Sequence, residues 1–327
     1  MTLSRRDLVK SPLVLAGASA MGLGEAAMAQ PSSTMPGEIV ELWPRPPAGA
    51  LHADMAEIVE QSSSDPSHSS RRIKGISRPR MIALRAAQPN GAAMLIIPGG
   101  GFAWNYFEHE GYRIADVLNR AGITCFILLY RLAQDGWTNA ASVGPADAQR
   151  AMRLIRAQAP RFGLDPARVG VMGFSAGGFL AATLATRHSA SFYAPIDATD
   201  RLEARPLLAA PIYLVQTIDP AYAYGGAAPS LFGRSPTAAE IRQWSPDLNV
   251  TPAATPTFLL HAEDDDTVPV ANTTKLRDAM IAAKITVETH LFSRGGHGFG
   301  LWPQPGAPDG LWLPLFLHFA RQEKLIA

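Results

Sequence analysis

Short runs in this chain are apolar at nearly every position, whereas other stretches carry apolar residues three or four positions apart. The runs predict strands buried on both faces, over 81–86, 93–97, 123–130, 168–172, 207–215, 257–261 and 286–292. The spaced stretches predict helices over 110–121, 145–159, 179–186, 270–283 and 311–323, with Pro145 opening its helix. Because strand and helix alternate along the chain, the pattern predicts an α/β fold with a mostly parallel central sheet.

The predicted strand at 168–172 leads into a tight turn with a serine at its tip, Gly173-Phe174-Ser175-Ala176-Gly177. The two glycines leave room for a sharp strand-turn-helix connection that lifts Ser175 clear of the sheet. The amide of Ala176 opens the following helix and points toward negative charge that develops beside the serine. The segment therefore predicts a nucleophile and one oxyanion-hole donor, against the alternative of a surface turn that happens to contain serine.

Three consecutive glycines follow the predicted strand at 93–97, in Pro98-Gly99-Gly100-Gly101-Phe102-Ala103-Trp104. Their amides can approach a ligand closely, and open α/β sheets hold their sites at strand ends. We expect the amide of Gly100 or Gly101 to be the second oxyanion-hole donor, unless the loop is a flexible one without a role. Trp104 and Phe102 are candidate substrate contacts, although an aromatic side chain here also suits core packing.

A serine hydroxyl is a poor nucleophile unless a base lies within hydrogen-bond reach. His297 follows the last predicted strand and is flanked by glycines, so it is the predicted base. The other histidines suit other roles. His261 and His290 lie within strands and His318 within a helix, which favours packing. His109 lies close to the glycine loop, where we expect a solvated helix start, with a substrate contact as the alternative.

Three carboxylates follow the predicted strand at 257–261, namely Asp264, Asp265 and Asp266. Three adjacent carboxylates cannot all face one imidazole, and their spacing alone does not separate them. With one of them as the acid, the chain carries the order serine, aspartate, histidine that is expected of an α/β-hydrolase fold. In that arrangement the acid usually stands three residues before a valine, here Val268, which selects Asp265 and leaves Asp266 as the second choice.

A long stretch at 216–248 interrupts the alternation of strand and helix. Insertions of this length are usually functional or disordered, so we expect it to form a wall over the site, with surface padding as the alternative. It carries scattered aromatic residues and glycines, namely Tyr222, Tyr224, Gly225, Gly226, Phe232 and Trp244.

The 327 residues are 47% hydrophobic and carry a net charge of +1, which is enough apolar material for one large core. No long basic or acidic run is present, so the composition favours a small neutral or weakly charged substrate over nucleic acid. The single cysteine, Cys125, lies in an apolar run, where a buried inert thiol is expected and no internal disulfide is possible. Nothing in the sequence specifies an oligomeric state.

The N-terminus resembles a twin-arginine export signal. It combines Arg5-Arg6, a short weakly apolar stretch up to Leu23, and a small-residue site at Ala27-Met28-Ala29. An amphipathic helix of the mature fold is the alternative. We therefore expect a signal peptide over 1–29, an irregular N-terminal segment over 30–80 and a catalytic domain over 81–327, in a periplasmic or secreted protein without a membrane anchor after cleavage.

As an ordered set, the motifs are similar to those of α/β-hydrolase esterases related to acetyl xylan esterases and to esterase modules found beside xylanases. They are Leu42-Trp43-Pro44, Pro98-Gly99-Gly100-Gly101-Phe102, Asp147-Ala148-Gln149-Arg150-Ala151, Gly173-Phe174-Ser175-Ala176-Gly177-Gly178, His261-Ala262-Glu263-Asp264-Asp265 and Gly295-Gly296-His297-Gly298-Phe299. Phe179 departs from the resemblance, because many relatives carry a histidine there.

The resemblance implies a central sheet with helices on both faces, and removal of acetyl and other small acyl groups from carbohydrate hydroxyls. It implies no metal and no organic cofactor. Ser175 would attack the ester, His297 would take its proton and Asp265 would stabilise the imidazolium. The competing interpretations are a general carboxylesterase or lipase, a peptidase, and a non-catalytic binding protein.

Overall fold

The computed structural model describes residues 37–63, 70–302, 308 and 310–327. The predicted signal peptide over 1–29 lies outside the described residues. Within them, no helix combines the length and the apolar character that a bilayer crossing requires.

The central sheet has eight strands, ordered β1-β4-β6-β5-β7-β8-β9-β10. All neighbours are parallel from β6 to β10, whereas β1 and β4 pair antiparallel at one edge. The strands are β1 Glu38–Glu41, β4 Arg80–Leu84, β5 Ala93–Ile97, β6 Thr124–Leu129, β7 Val169–Phe174, β8 Ala209–Ile212, β9 Thr257–Ala262 and β10 Val287–Phe292. Two further strands, β2 Ile58–Gln61 and β3 Arg71–Lys74, form a separate antiparallel hairpin.

Helices cover both faces of this sheet. The eight α-helices are α1 Arg113–Arg120, α2 Ala140–Ala157, α3 Ala159–Phe162, α4 Ala176–Arg187, α5 Ala227–Phe232, α6 Ala238–Trp244, α7 Ala271–Ala282 and α8 Trp312–Gln322 among the described residues. One large core lies between the sheet and α2, α3 and α4, a second lies between the sheet and α1 and α8, and a smaller third cluster includes residues of α7. Consecutive residues of β5 divide between them, since Leu95 packs in the first core and Ile96 in the second.

The predicted fold class is confirmed, and each predicted strand and helix has a counterpart in the structure. The apolar runs were good predictors because the parallel strands are buried on both faces, as in β5, β6 and β7. Cys125 is fully buried, and burial raises the pKa of its thiol, consistent with an inert side chain.

Two local predictions are wrong. The segment over 30–80 is not irregular throughout, because its described part contains β1, β2 and β3. These strands have four residues each and lie at an edge or in a hairpin, so they lack the continuous apolar run of a central strand.

The second wrong prediction concerns Pro145, which lies inside α2 rather than at its start. The helix is buried along most of its length, and this packing offsets the backbone hydrogen bond that proline removes.

Candidate active site

Ser175 occupies a strained turn between β7 and α4. Its φ is 51° and its ψ is −116°, a conformation that non-glycine residues rarely adopt outside functional turns. Both flanking glycines are sterically required. A Cβ at Gly173 would lie 2.2 Å from the Gly177 carbonyl oxygen, and a Cβ at Gly177 would lie 2.1 Å from the Ile97 carbonyl oxygen. The geometry is the sharp strand-turn-helix connection that the sequence predicts.

Three side chains from distant loops meet at this turn. The Oγ of Ser175 lies 2.9 Å from Nε2 of His297, and Nδ1 of His297 lies 2.7 Å from Oδ2 of Asp265. A carboxylate only accepts hydrogen bonds, so Nδ1 carries the proton and Nε2 presents its lone pair to the serine hydroxyl. The structure therefore brings together the predicted nucleophile, base and acid in the order in which proton transfer requires them.

Asp265 accepts hydrogen bonds on both of its oxygens. His261 Nε2 donates to Oδ2 over 3.1 Å, alongside His297, and the amides of Thr267 and Val268 donate to Oδ1 over 3.0 and 2.8 Å. Burial by itself would raise the pKa of this carboxyl, but the hydrogen bonds from His261 and His297 outweigh it. The pKa therefore lies well below that of a free aspartate, and the group is a carboxylate wherever His297 can act as a base.

The three neighbouring aspartates have different partners, which resolves the ambiguity in the sequence. Only Asp265 contacts His297. Asp264 Oδ1 accepts a hydrogen bond from the amide of Gly296 over 2.8 Å, so it holds the loop that carries the histidine. Asp266 is exposed and accepts a hydrogen bond from the hydroxyl of Thr267.

His261 has a role that the sequence does not reveal. A packing role was predicted because it lies in an apolar strand, and it is indeed fully buried. Its two ring nitrogens, however, contact three polar partners. Nδ1 lies 2.7 Å from the Thr273 hydroxyl, and Nε2 contacts both Asp265 and the Val268 carbonyl oxygen. The sequence did contain one signal for this contact with Asp265, namely a histidine near the end of a strand and four residues before the acid.

The predicted oxyanion-hole residues lie around the serine. Gly100 and Gly101 have φ values of 133° and 63°, and both line the same cavity as Ser175. A Cβ at Gly100 would approach the Trp104 carbonyl oxygen to 2.2 Å, so this position requires glycine. Ala176 is the first residue of α4, where a backbone N–H has no partner within the helix. These amides can therefore serve as donors to an oxygen held beside the serine.

A cavity of about 460 Å³ opens above these groups. Aromatic rings and hydroxyl groups form its walls, together with Ser175 and His297. Its further lining residues include Ser62, Ser63, Ser70, Trp104, Tyr106, Tyr224 and Trp302.

The insertion at 216–248 contributes to this cavity through Tyr224, whose hydroxyl faces Gly101. Phe232 and Trp244 of the same insertion line a second cavity of about 870 Å³ instead. The predicted wall is therefore real, but only part of the insertion forms it.

The two predicted substrate contacts have different outcomes. Trp104 lines the cavity, and its ring also contacts two cations, with the Arg72 guanidinium 4.2 Å and the Lys74 ammonium 4.5 Å from the ring centroid. Phe102 does not line the cavity, which corrects the prediction. Its backbone turns through a φ of 64°, and its ring packs edge-on against Phe179 in the core. Phe179 is itself fully buried, so its departure from the histidine of many relatives does not alter the cavity wall.

The expectation of a solvated His109 is wrong. This residue is buried in a π-helical turn, Glu108–Tyr112, which precedes α1. Its Nε2 donates to the Gly298 carbonyl oxygen over 3.0 Å, and its ring stacks on Trp302 with centroids 4.4 Å apart. Burial lowers the pKa of His109 to about 3, so the ring is neutral. His109 thus holds the residue that follows His297, which a helix-start pattern does not indicate.

No group of three histidine, cysteine, aspartate or glutamate side chains is placed to hold a metal within the part of the chain that the structure describes. The polar groups that converge at the cavity floor are instead a hydroxyl, an imidazole, a carboxylate and backbone amides. This set is suited to acyl transfer through a covalent intermediate.

The parallel sheet, the serine turn and the order of the three side chains define an α/β-hydrolase-fold protein. The chain belongs to the BD-FAE family, which matches residues 83–280.

Two relatives with sequence similarity are carbohydrate-active enzymes. One is an acetylxylan esterase of Xylanibacter ruminicola, 29% identical over 233 residues, which are 68% of this chain and 44% of the relative. The other is endo-1,4-beta-xylanase B of Butyrivibrio fibrisolvens, 29% identical over 214 residues, which are 63% of this chain and 32% of that protein. The chain therefore spans less than half the length of either relative.

Solved structures share the architecture. An acetyl ester-xyloside bifunctional hydrolase from Caldicellulosiruptor lactoaceticus superposes with a TM-score of 0.71 at 28% identity, covering 90% of this chain and 100% of that one. The carboxylesterase Cest-2923 from Lactobacillus plantarum has a TM-score of 0.64 at 23% identity, covering 84% and 99%. At this lower sequence identity, the superposition shows a shared fold and nothing further.

Proposed function

We propose that this protein is a serine esterase that removes acetyl and other small acyl groups from carbohydrate hydroxyls. The observation that carries the proposal is the continuous hydrogen-bonded series from Ser175 through His297 to Asp265, at 2.9 and 2.7 Å, on the floor of an open cavity. A protein that only binds its ligand has no need of a base and an acid aimed at a serine hydroxyl on the wall of a cavity.

In the acylation step, the Oγ of Ser175 bonds to the ester carbonyl carbon while its proton moves to Nε2 of His297. Asp265 stabilises the imidazolium that forms. The amides of Ala176 and of Gly100 or Gly101 donate to the oxyanion, and each such donor is worth about 3 kcal/mol in the transition state of well-studied hydrolases.

The tetrahedral intermediate then collapses. His297 returns the proton to the leaving alcohol, the bond between the carbonyl carbon and the alcohol oxygen breaks, and Ser175 keeps the acyl group. Water attacks this acyl-enzyme with the same imidazole as base, which releases the carboxylic acid and restores the hydroxyl.

The cavity walls support a carbohydrate as the alcohol. Sugar rings present C–H faces that pack on aromatic side chains and hydroxyl groups that bond to polar ones. Trp104 and Tyr224, which are both half-buried, offer the first kind of surface, and Ser62 the second. The names of the relatives, which include an acetylxylan esterase and an acetyl ester-xyloside hydrolase, agree with this substrate class.

We also propose that the protein acts outside the cytoplasm. The support is the twin-arginine-like N-terminus, with Arg5-Arg6 and the small-residue site at Ala27-Met28-Ala29. A secreted or periplasmic address would bring the site to polysaccharide fragments.

The proposal is tested by replacing Ser175 with alanine. We expect S175A to lower kcat for 4-nitrophenyl acetate and for acetylated xylo-oligosaccharides on the order of 1,000-fold or more, with the fold unchanged by circular dichroism. Ser189→Ala, at an exposed serine shortly after α4, is the matched control and should retain full activity. Wild-type turnover by S175A would refute the assignment of the nucleophile.

A series of 4-nitrophenyl esters of increasing acyl length tests the substrate class separately. Acetate and propionate esters should give the highest kcat/KM. A steady increase toward long acyl chains would contradict the sugar-deacetylase proposal, while leaving the serine esterase assignment in place.

A further inference from the structure

The π-helical turn Glu108–Tyr112 places two consecutive buried polar side chains against the two loops of the site. Turns with π-helical hydrogen bonding are rare and often occur at functional sites. His109 contacts the loop after His297, as described above. Its neighbour Glu110 is also buried and lines the cavity, yet no step of the proposed mechanism uses it.

The carboxyl group of Glu110 has one hydrogen-bond donor on each oxygen. The amide of Gly99 donates to Oε2 over 2.7 Å, and the hydroxyl of Tyr213 donates to Oε1 over 2.8 Å. Gly99 directly precedes the two glycines assigned to the oxyanion hole. A Cβ at Gly99 would lie 2.9 Å from both Glu110 Oε2 and the Cβ of Ser175, so the carboxyl supports the glycine loop directly beside the nucleophile.

Tyr213 extends this contact to the histidine loop. The residue follows β8 in a left-handed conformation, with a φ of 35°, that a non-glycine residue adopts only at a cost. The backbone of Gly300 donates a hydrogen bond to its phenol oxygen, and its ring meets the His297 ring edge-on with centroids 5.3 Å apart. One hydrogen-bonded path therefore runs from the glycine loop through Glu110 to the loop that holds the base.

The surroundings of Glu110 fit its ionised form. Both neighbours donate to it, as a carboxylate requires. Burial raises the pKa of Glu110 above that of a free glutamate, and the hydrogen bonds from Gly99 and Tyr213 and the charge of a protonated His297 oppose this rise in part. Since that attraction is mutual, a carboxylate at Glu110 favours the imidazolium.

The other titratable groups near this carboxyl stay neutral. Burial and the proximity of Glu110 raise the pKa of Tyr213 and that of Tyr130, so both phenols keep their protons. Burial lowers the pKa of His109 to about 3. His297 is hydrogen-bonded to Asp265, and the Tyr213 ring that meets it edge-on carries the hydroxyl bonded to Glu110.

We propose that Glu110 is a positioning residue of this active site, which as a carboxylate anchors the glycine loop through Gly99 and supplies a second negative charge that stabilises protonated His297. The inference rests on the proposed esterase function. Glu110 exchanges no proton during turnover. It acts when the Ser175 proton reaches His297, because the imidazolium and the oxyanion form together in that step.

The test compares E110Q with E108Q. Glutamine at 110 keeps an acceptor for the Gly99 amide and removes the charge. Glu108 lies in the same turn but pairs with Arg71, so E108Q is a matched removal of charge directed away from the site. The His297 ring resonances are followed by NMR from low to high pH in each protein, with H297Q used for assignment.

In E110Q we expect the midpoint of the His297 titration to move to lower pH by about one unit, because the imidazolium loses an attractive charge. The acid limb of the kcat/KM profile should move in the same direction. The kcat should fall on the order of tenfold, while KM stays within about twofold of the wild-type value. This is the result expected when an interaction is lost only in the transition state. E108Q should match the wild type in all three measurements.

An unchanged His297 midpoint in folded E110Q, or an equal change in E108Q, would overturn the proposal. If E110Q does not fold, Tyr213→Phe decides. That variant removes the hydrogen bond that lowers the pKa of Glu110, so Glu110 becomes neutral at higher pH and its charge is lost from the His297 titration. The midpoint should therefore again move to lower pH, and an unchanged midpoint refutes the role of Glu110. The NMR measurement needs no turnover, so an inactive wild-type protein would refute the esterase assignment without affecting this result.

Discussion

The burial of His109 predicts a specific loss of stability in acid. In the unfolded chain this histidine titrates with an ordinary pKa of 6.5, whereas burial lowers the pKa to about 3 in the folded protein. The folded state therefore binds fewer protons between these values. The contribution of the neutral ring to stability is complete above about pH 6.5 and declines as the pH falls toward 3.

The size of the effect follows from the two pKa values. Each unit of pKa difference corresponds to about 1.4 kcal/mol, so at about pH 4.5 the unfolded chain gains about 2 to 3 kcal/mol from protonation of this one side chain. The replacement His109→Gln removes the titration and keeps an N–H that can donate to the Gly298 carbonyl oxygen. H109Q can start from a different free energy of unfolding at neutral pH. On acidification, however, its free energy of unfolding should fall by about 2 to 3 kcal/mol less than that of the wild type.

Urea unfolding at about pH 7.5 and about pH 4.5 measures this difference. Other groups, including Asp265, also change protonation in acid, but they contribute equally to both proteins and cancel in the comparison. His318→Gln is the control and should show the wild-type loss, because His318 on α8 is exposed and not packed as the sequence predicted. If H109Q and the wild type lose the same free energy of unfolding between the two pH values, His109 is not held neutral by burial.

Two further predictions concern the neighbouring aspartates and the N-terminus. Asp264→Ala removes the acceptor for the Gly296 amide and should lower kcat for 4-nitrophenyl acetate about three- to tenfold, as expected from the loss of one hydrogen bond. The exposed Asp266→Ala should have no effect, and equal kinetics for the two variants would contradict the role of Asp264. Replacing Arg5 and Arg6 by lysine should leave the chain in the cytoplasm of a twin-arginine-competent host, measured by cell fractionation. Unchanged export would exclude that route.

The parts of the fold that the sequence predicts well are those with a strong periodic signal. Strands β5, β6 and β7 are buried on both faces, so their apolar runs are continuous, and their order leads directly to the parallel sheet. The serine turn was equally predictable from the sequence, because two glycines at fixed offsets are a steric requirement of that turn.

Other features depend on contacts that no local pattern contains. His261 and Glu110 look like a strand residue and a helix residue in the sequence, and only tertiary packing shows that each supports the site. Phe102 lies next to the glycine loop in sequence, but the sign of its φ turns the ring into the core. The choice between Asp265 and Asp266 likewise required the backbone of the loop, since both carboxylates follow the same strand.

The cavity walls and the reactive groups belong to different parts of the architecture. Ser175, His297 and Asp265 follow the ends of strands in the main sheet, whereas Ser62 and Ser70 lie at the β2–β3 hairpin and Tyr224 in the insertion before β9. Changing which ester the protein accepts could therefore proceed by replacing the hairpin and the insertion alone. Ser175, His297 and Asp265 would keep their positions at the strand ends of the main sheet.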